Sequence, residues 1–160
     1  FISDTRLCVD KSATVVYSEI FMGGRKYYKD GELFEYDILS VCSHGERPDG
    51  EQLFREKFVI DPRVEHPRNL GVMGKFDVFA NVIVMTPPDA ADKIYDKTEV
   101  FIDLKKRLAA GITRLPGNAG LLYKVLGMET GPVKKMVRDF AGTVRMVVKG
   151  KPLPPEFPWR

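Results

Sequence analysis

Cysteine and histidine are nearly missing from this chain: its 160 residues include only Cys8, Cys42, His44 and His66. Two cysteines without Cys-x-x-Cys spacing build neither a disulfide framework nor a structural zinc site, and they point to a reducing, cytoplasmic setting. Two histidines leave imidazole-centred acid–base or metal chemistry with two starting points. Long apolar runs are missing as well. The longest, Val78 to Met85, is interrupted by Asn81 and falls far short of the roughly 20 residues of a membrane helix. The opening residues carry no basic, apolar leader pattern. No phosphate loop, dinucleotide glycine fingerprint or Gly-x-Ser-x-Gly elbow occurs, which removes the enzyme classes that announce themselves by motif.

What remains is ordinary globular composition, 44% hydrophobic and 29% charged, in a length suited to one domain over residues 1–160. The net charge of +3 hides a polarity. Residues 1–103 hold 13 Lys/Arg against 19 Asp/Glu, a balance of −6, whereas residues 104–160 hold 12 against 3, a balance of +9. A basic C-terminal segment of this kind steers toward an acidic partner, although two solvated faces would give the same count.

Pattern reading gives an element order. Ala13 to Phe21, β-branched and aromatic, reads as a buried strand entering the turn Met22-Gly23-Gly24. Leu33 to Cys42 reads as a strand with one wet face, since Phe34, Tyr36 and Ile38 alternate with Glu35 and Asp37. The turn residues of His44 to Gly50 and the alternation from Phe54 to Ile60 predict an antiparallel hairpin. Val78 to Met85, apolar on both faces, predicts a central covered strand. From Pro87 a helix is expected, capped by Asp89 or Asp92, with Phe101, Leu104 and Leu108 on its apolar stripe and Gly111 as its stop. After two short strands near Thr113 and Leu121, Gly131-Pro132 opens a second helix with Val133, Met136, Val137, Phe140, Val144 and Val147 inward. Strands first, then strand, helix, strands, helix, is a mainly β or α+β order rather than a doubly wound one. Residues 76–148 alone would also fit a split β-α-β unit.

Few residues stand out as chemistry. Cys42-x-His44 places a thiolate and an imidazole on one strand face, acceptable to nickel or zinc. No third donor accompanies them in the sequence, so the pair reads as incidental and no metal site is assigned. His66, between Glu65 and Pro67, is weaker still. Gly117-Asn118-Ala119-Gly120 follows a proline and leads into a strand, which is turn geometry rather than phosphate binding. Glu19, Arg25 and Glu32 flank a glycine turn between strands. They are read either as an ion-handling group, with the carboxylates as oxygen ligands, or as a turn tied together by Arg25 and a buried carboxylate. Lys134, Lys135, Arg138, Lys149 and Lys151 form the candidate docking surface for an acidic partner. Phe157 and Trp159, in the proline-rich tail, read as a hydrophobic latch.

Two motifs in order carry more information than any one residue. Ile112 to Gly127 reads ITRLPGNAGLLYKVLG, and about ninety residues upstream stand Glu19, Gly24-Arg25 and Gly31-Glu32. In these the chain resembles the closing portion of UreD-type urease accessory proteins. The resemblance implies a body of stacked antiparallel and mixed sheets with two amphipathic helices near the C-terminus. It further implies a non-catalytic scaffold linking urease apoprotein to other accessory proteins, including the nickel-delivering GTPase. Nickel would be transient cargo passing through the protein, with no resident cofactor and neither nucleic acid nor membrane as partner. Members of that family have an additional N-terminal, strand-rich half with Gly-Asp and Thr-Thr segments that nothing here matches. With Phe1 rather than Met at the start, the chain reads as a C-terminal portion of a longer protein. Two other classes stay open beside this one: a small-molecule enzyme using carboxylates near Glu19 and Glu32, and a ligand- or nucleic-acid-binding module on residues 76–148.

Overall fold

The computed structural model describes residues 1–155. Ten strands and two helices follow one another there: β1 (Ile2–Cys8), β2 (Val15–Met22), β3 (Gly24–Arg25), β4 (Glu32–Leu33), β5 (Leu39–Glu46), β6 (Gln52–Ile60), β7 (Val78–Met85), α1 (Pro88–Asp96), β8 (Phe101–Asp103), β9 (Leu108–Arg114), β10 (Gly120–Gly127) and α2 (Thr130–Lys149). They form an antiparallel sheet in the order β2-β7-β10-β9-β8, a mixed sheet in the order β1-β5-β6, and the two-stranded β3-β4 ribbon. The expected class, stacked antiparallel and mixed sheets with two amphipathic helices, is the one observed.

Val78–Met85 explains the layering. Its even-numbered residues Val78, Ala80, Val82 and Val84 join Val133, Val137, Phe140 and Val144 of α2 and Ile94 of α1 in one core. Its odd-numbered Ile83 and Met85 face Phe54 of β6 and Val9 in a second core between the two sheets. A strand apolar on both alternating faces needs cover on both, and β7 has helices on one side and the mixed sheet on the other. Phe21 stacks on Phe79 at 4.9 Å, and Phe58 meets both rings edge-on, so β2, β6 and β7 are locked by three aromatic rings. Tyr123 stacks on Phe140 at 4.2 Å on the opposite side. No helix among the described residues is long and apolar enough to cross a membrane.

Four expectations are corrected. The helix from Pro87 ends at Asp96, where the Thr98 hydroxyl donates to Ile94 O at 2.6 Å and closes its last turn. Phe101, Leu104 and Leu108 instead belong to the β8-β9 hairpin. Asp103 Oδ1 accepts the backbone N–H groups of Lys105 and Lys106 there, and Arg107 takes a φ of 52°. Neither Asp89 nor Asp92 caps α1, which begins after Pro87 without a side-chain cap. Asp92 pairs with Arg114 at 2.5 Å instead. The strand expected from Leu33 to Cys42 is interrupted, because Phe34 turns at φ 60° to bury its ring against Gly23. Regular pairing resumes at Leu39 and runs to Glu46, which places Cys42 and His44 inside β5 rather than beside a turn. Lastly, β2 is a half-buried edge strand, not a buried one.

Candidate functional site

The polar residues that the strands carry into the space between the two sheets are the natural place to look for chemistry. Antiparallel pairing of β2 with β7 sets Glu19 opposite Asn81, and pairing of β10 with β7 sets Lys124 opposite Asn81 on the other side. These three therefore share the face of Phe79, Ile83 and Met85 that looks at the mixed sheet. From that sheet Thr5 of β1 and Glu56 of β6 look back, flanking Ser43 in register. The contacts close a polar seam across the layers. Thr5 Oγ1 and Tyr17 Oη lie 3.0 Å apart, and Lys124 Nζ donates to Glu56 Oε1 at 2.6 Å.

Glu19 is the half-buried carboxylate of the antiparallel sheet in this seam. Burial pushes its carboxyl up, a hydrogen bond from Tyr17 pulls it partly back, and the Glu56 charge raises it again. Burial likewise raises the Tyr17 hydroxyl, the Thr5 hydrogen bond opposes that, and Glu19 adds to it. Two carboxylates with one lysine and four neutral oxygen or amide groups can hold a proton or bind a cation weakly through oxygen. Sequence reasoning singled out Glu19 but not Tyr17, Glu56, Asn81 or Lys124. Only sheet register joins them.

Arg25 and Glu32 lie elsewhere, facing each other across the β3-β4 ribbon. Arg25 Nε donates to Glu32 Oε2 at 2.7 Å, and the guanidinium covers the Tyr28 ring at 4.2 Å. The ribbon is instead fastened by the next residue. Lys26 Nζ donates to Glu129 Oε1 at 2.6 Å and to Met128 O at 3.1 Å, and lies 3.1 Å from Asp77 Oδ2. Asp77 is only 1% exposed; its Oδ1 accepts a bond from Arg68, while Lys26 pairs with Oδ2 by charge, off hydrogen-bond alignment. The Glu129 hydrogen bond raises Lys26 most and, reciprocally, Lys26 holds Glu129 below the usual carboxylate range. This ionic lock joins the ribbon, the start of β7 and the β10–α2 junction. Its sequence signal was a lone acid just ahead of the longest apolar run.

The candidate docking residues spread along α2. Lys134 and Lys149 line a groove of about 920 Å³ between α2 and β2, together with Arg145. Lys135 pairs with Asp139 one turn on, at 2.5 Å. Arg138 Nη2 donates to Pro154 O and Pro155 O at 2.8 and 2.9 Å, and Arg145 Nε donates to Pro152 O at 3.1 Å. Lys151 is exposed at the start of the returning segment. The tail up to Pro155 thus runs back along the helix; Phe157 and Trp159, expected to latch it, lie outside the described residues. Cys42 and His44 do share a face of β5, as their spacing implied, and Asp4 of β1 lies with them on the outer side of the mixed sheet. His66 accepts the Arg68 backbone N–H at 3.2 Å within its loop.

Comparison with known proteins bears on the whole chain. The family model described as UreD urease accessory protein matches residues 1–160. Urease accessory protein UreD 2 of Brucella suis biovar 1 is 43% identical over 159 residues, covering 99% of this chain and 53% of the relative. The protein of the same name from Brucella abortus is 43% identical over the same length, covering 52% of the relative. Urease accessory protein UreD of Yersinia pseudotuberculosis serotype O:1b is 40% identical over 160 residues, all of this chain and 50% of the relative. The chain spans about half the length of the curated relatives it matches. A family match from the first residue to the last, with relatives at this identity along the same span, leaves one reading of its origin: the chain belongs to the UreD family of urease accessory proteins.

Proposed function

We propose that this chain works in urease maturation as part of a non-catalytic scaffold that joins apo-urease to its accessory partners, a nickel-delivering GTPase among them. Nickel is cargo in this reading, and GTP hydrolysis belongs to the partner. Family membership supports the maturation role. The finer reading is carried by one observation, the half-buried Glu19 carboxylate in a polar seam between the two sheets. A passage for a divalent ion needs oxygen groups that bind and release; a closed thiolate or imidazole cage would hold the ion. Glu19, with Tyr17, Asn81 and Glu56 around it, is such a group. Arg25 and Glu32 then shape the ribbon at one end of the sheets.

The basic groove between α2 and β2 supports docking of an acidic surface, with Lys134 and Lys149 on its walls. Lys135 and Lys151 add charge nearby, and Arg138 holds the tail that borders it. Co-purification of the complete protein with apo-urease and the GTPase complex, followed by sizing, tests the scaffold role; joint elution is expected. Elution apart from both partners overturns it. Reversal of Lys134 and Lys135 to Glu is expected to slow assembly at low salt, and an unchanged pull-down there removes this surface from the proposal. For the passage, Glu19→Gln in the complete protein should lower nickel loading of urease while leaving joint elution intact. Full loading with that variant rules Glu19 out.

A further inference from the structure

The outer face of the mixed sheet carries a second constellation that lies apart from the inter-sheet seam. β1 and β5 run parallel with Asp4 beside Cys42 and Arg6 beside His44. That pairing brings together three different donor types whose ligand atoms all lie within 4.8 Å of one another. Asp4 Oδ1 is 2.6 Å from His44 Nε2, and Cys42 Sγ is 3.6 Å from the same nitrogen.

Convergence on a single nitrogen decides between two chemistries. A nucleophile–base–carboxylate relay places the nucleophile on one imidazole nitrogen and the carboxylate on the other. Here both meet Nε2, so the group cannot pass a proton through the ring. Three donor types within 4.8 Å of one another are close enough to share one ion. A tetrahedral ion with sulfur at about 2.3 Å and nitrogen at about 2.0 Å sets those two atoms about 3.5 Å apart, and the observed separation is 3.6 Å. The carboxylate oxygen sits closer than a shared ion allows. It would move outward by roughly 0.7 Å, to about 3.3 Å from the nitrogen, which the 65% exposed Asp4 side chain can do. Cys42 is 5% exposed, so its sulfur is fixed from below while the carboxylate adapts from above.

We propose that Asp4, Cys42 and His44 form a binding site for a divalent transition ion of the zinc and nickel class, with a fourth position open. Mixed oxygen, nitrogen and sulfur donors suit borderline ions rather than Mg²⁺ or Ca²⁺. Three protein ligands leave one coordination position for water or an incoming group. Around the site, Arg55 stands across the strand pair from His44. Arg6 is drawn off to Glu46 at 3.0 Å, and Lys57 stands across the strand pair from Cys42. The inference rests on donor geometry and does not need the urease-maturation reading.

Cobalt(II) titration of the complete, tag-free protein under reducing conditions tests it. One equivalent is expected to bind with a sulfur-to-cobalt charge-transfer band in the near ultraviolet. Cys42→Ser should abolish the band, and Cys8→Ser should keep it. Asp4→Asn and His44→Gln should weaken binding at least about tenfold with native circular dichroism; Asp4 is exposed, so its variant keeps the test valid where the buried cysteine change unfolds the sheet. Zn²⁺ and Ni²⁺ should each bleach the band, and the stronger competitor identifies the ion. Absence of a sulfur band at stoichiometric cobalt, its survival in Cys42→Ser, or unaltered affinity in Asp4→Asn and His44→Gln overturns the proposal.

Discussion

Removal of the Asp77 carboxylate should be among the most damaging single polar changes in this chain. Its side chain is 2% exposed and faces two cations, Arg68 at 36% and Lys26 at 25%. Breaking a fully buried pair costs about 3–5 kcal/mol, but both cations here can rehydrate. The bond from Arg68, charge-assisted on both sides, is worth about 1.5–3 kcal/mol. Lys26 keeps Glu129 and the Met128 carbonyl, so its loss adds at most about 1 kcal/mol. Asp77→Ala is therefore expected to destabilise by about 2–4 kcal/mol, a fall in Tm of roughly 6–12 °C for a domain of this size. The order of damage is diagnostic. Asp77→Ala and Arg68→Ala should both exceed Lys26→Ala, because after the last change the buried anion retains Arg68. Urea unfolding and calorimetry on the complete protein and the three variants measure this. Asp77→Ala within about 0.5 kcal/mol of the parent would refute the reasoning, since it would mean that desolvation of the carboxylate cancels everything its partners contribute.

Other expectations follow from single positions. Glu19 has a carboxyl raised by burial, so the folded state binds its proton more tightly than the unfolded state, and stability attributable to this group falls as pH rises through its folded value. Glu19→Gln should then be the more stable protein at pH 7, with the advantage shrinking as pH falls through the raised folded value and gone below the ordinary glutamate value of 4.5; an unfolding series across pH checks the window. Gly120 has a φ of 144°, and a Cβ there would stand 1.9 Å from Val84 O. Gly120→Ala should cost more than about 3 kcal/mol, whereas Gly117→Ala, at φ 60° with open space around it, should cost only about 1–2 kcal/mol. Denaturant midpoints of the two variants compare them directly. Phe140→Ala empties the α2 side of the Tyr123 stack and is expected to cost about 3–5 kcal/mol, read by the same assay.

The parts of the fold that were legible are those where one element decides its own environment. Val78–Met85 is apolar on both faces and could only be a covered strand. Gly131-Pro132 and the spaced valines of α2 marked a helix whose buried face is the expected one, from Val133 to Val144. The alternation from Phe54 to Ile60 marked β6. Reading failed where one pattern served two structures. Phe101, Leu104 and Leu108 fit a helical stripe, yet a short hairpin with Asp103 at its turn uses the same spacing. Phe34 alternates correctly with Tyr36 and still leaves the strand, since its backbone turn is set by Gly23 across the chain. The site was legible only in part for a related reason. Glu19 could be picked out alone, but Asn81, Lys124 and Glu56 come to it from three other strands. Likewise, Asp4 reaches Cys42 and His44 only because β1 pairs in parallel with β5, a pairing that no local pattern announces.

That same β1 strand gives seven residues an unusual duty. Thr5 faces inward to Tyr17 and Asp4 faces outward to His44, so adjacent side chains serve opposite surfaces of one sheet. A displacement by one residue would exchange them, sending a carboxylate into the inter-sheet layer and a hydroxyl to the outer cluster. The strand is fastened at both extremities against this. At one end Ser40 N–H donates to Phe1 O at 2.9 Å, and at the far end Val9 N–H donates to Glu46 O at 2.9 Å. Those few bonds act as an alignment pin, and the chemistry of both surfaces depends on the same pin staying in place.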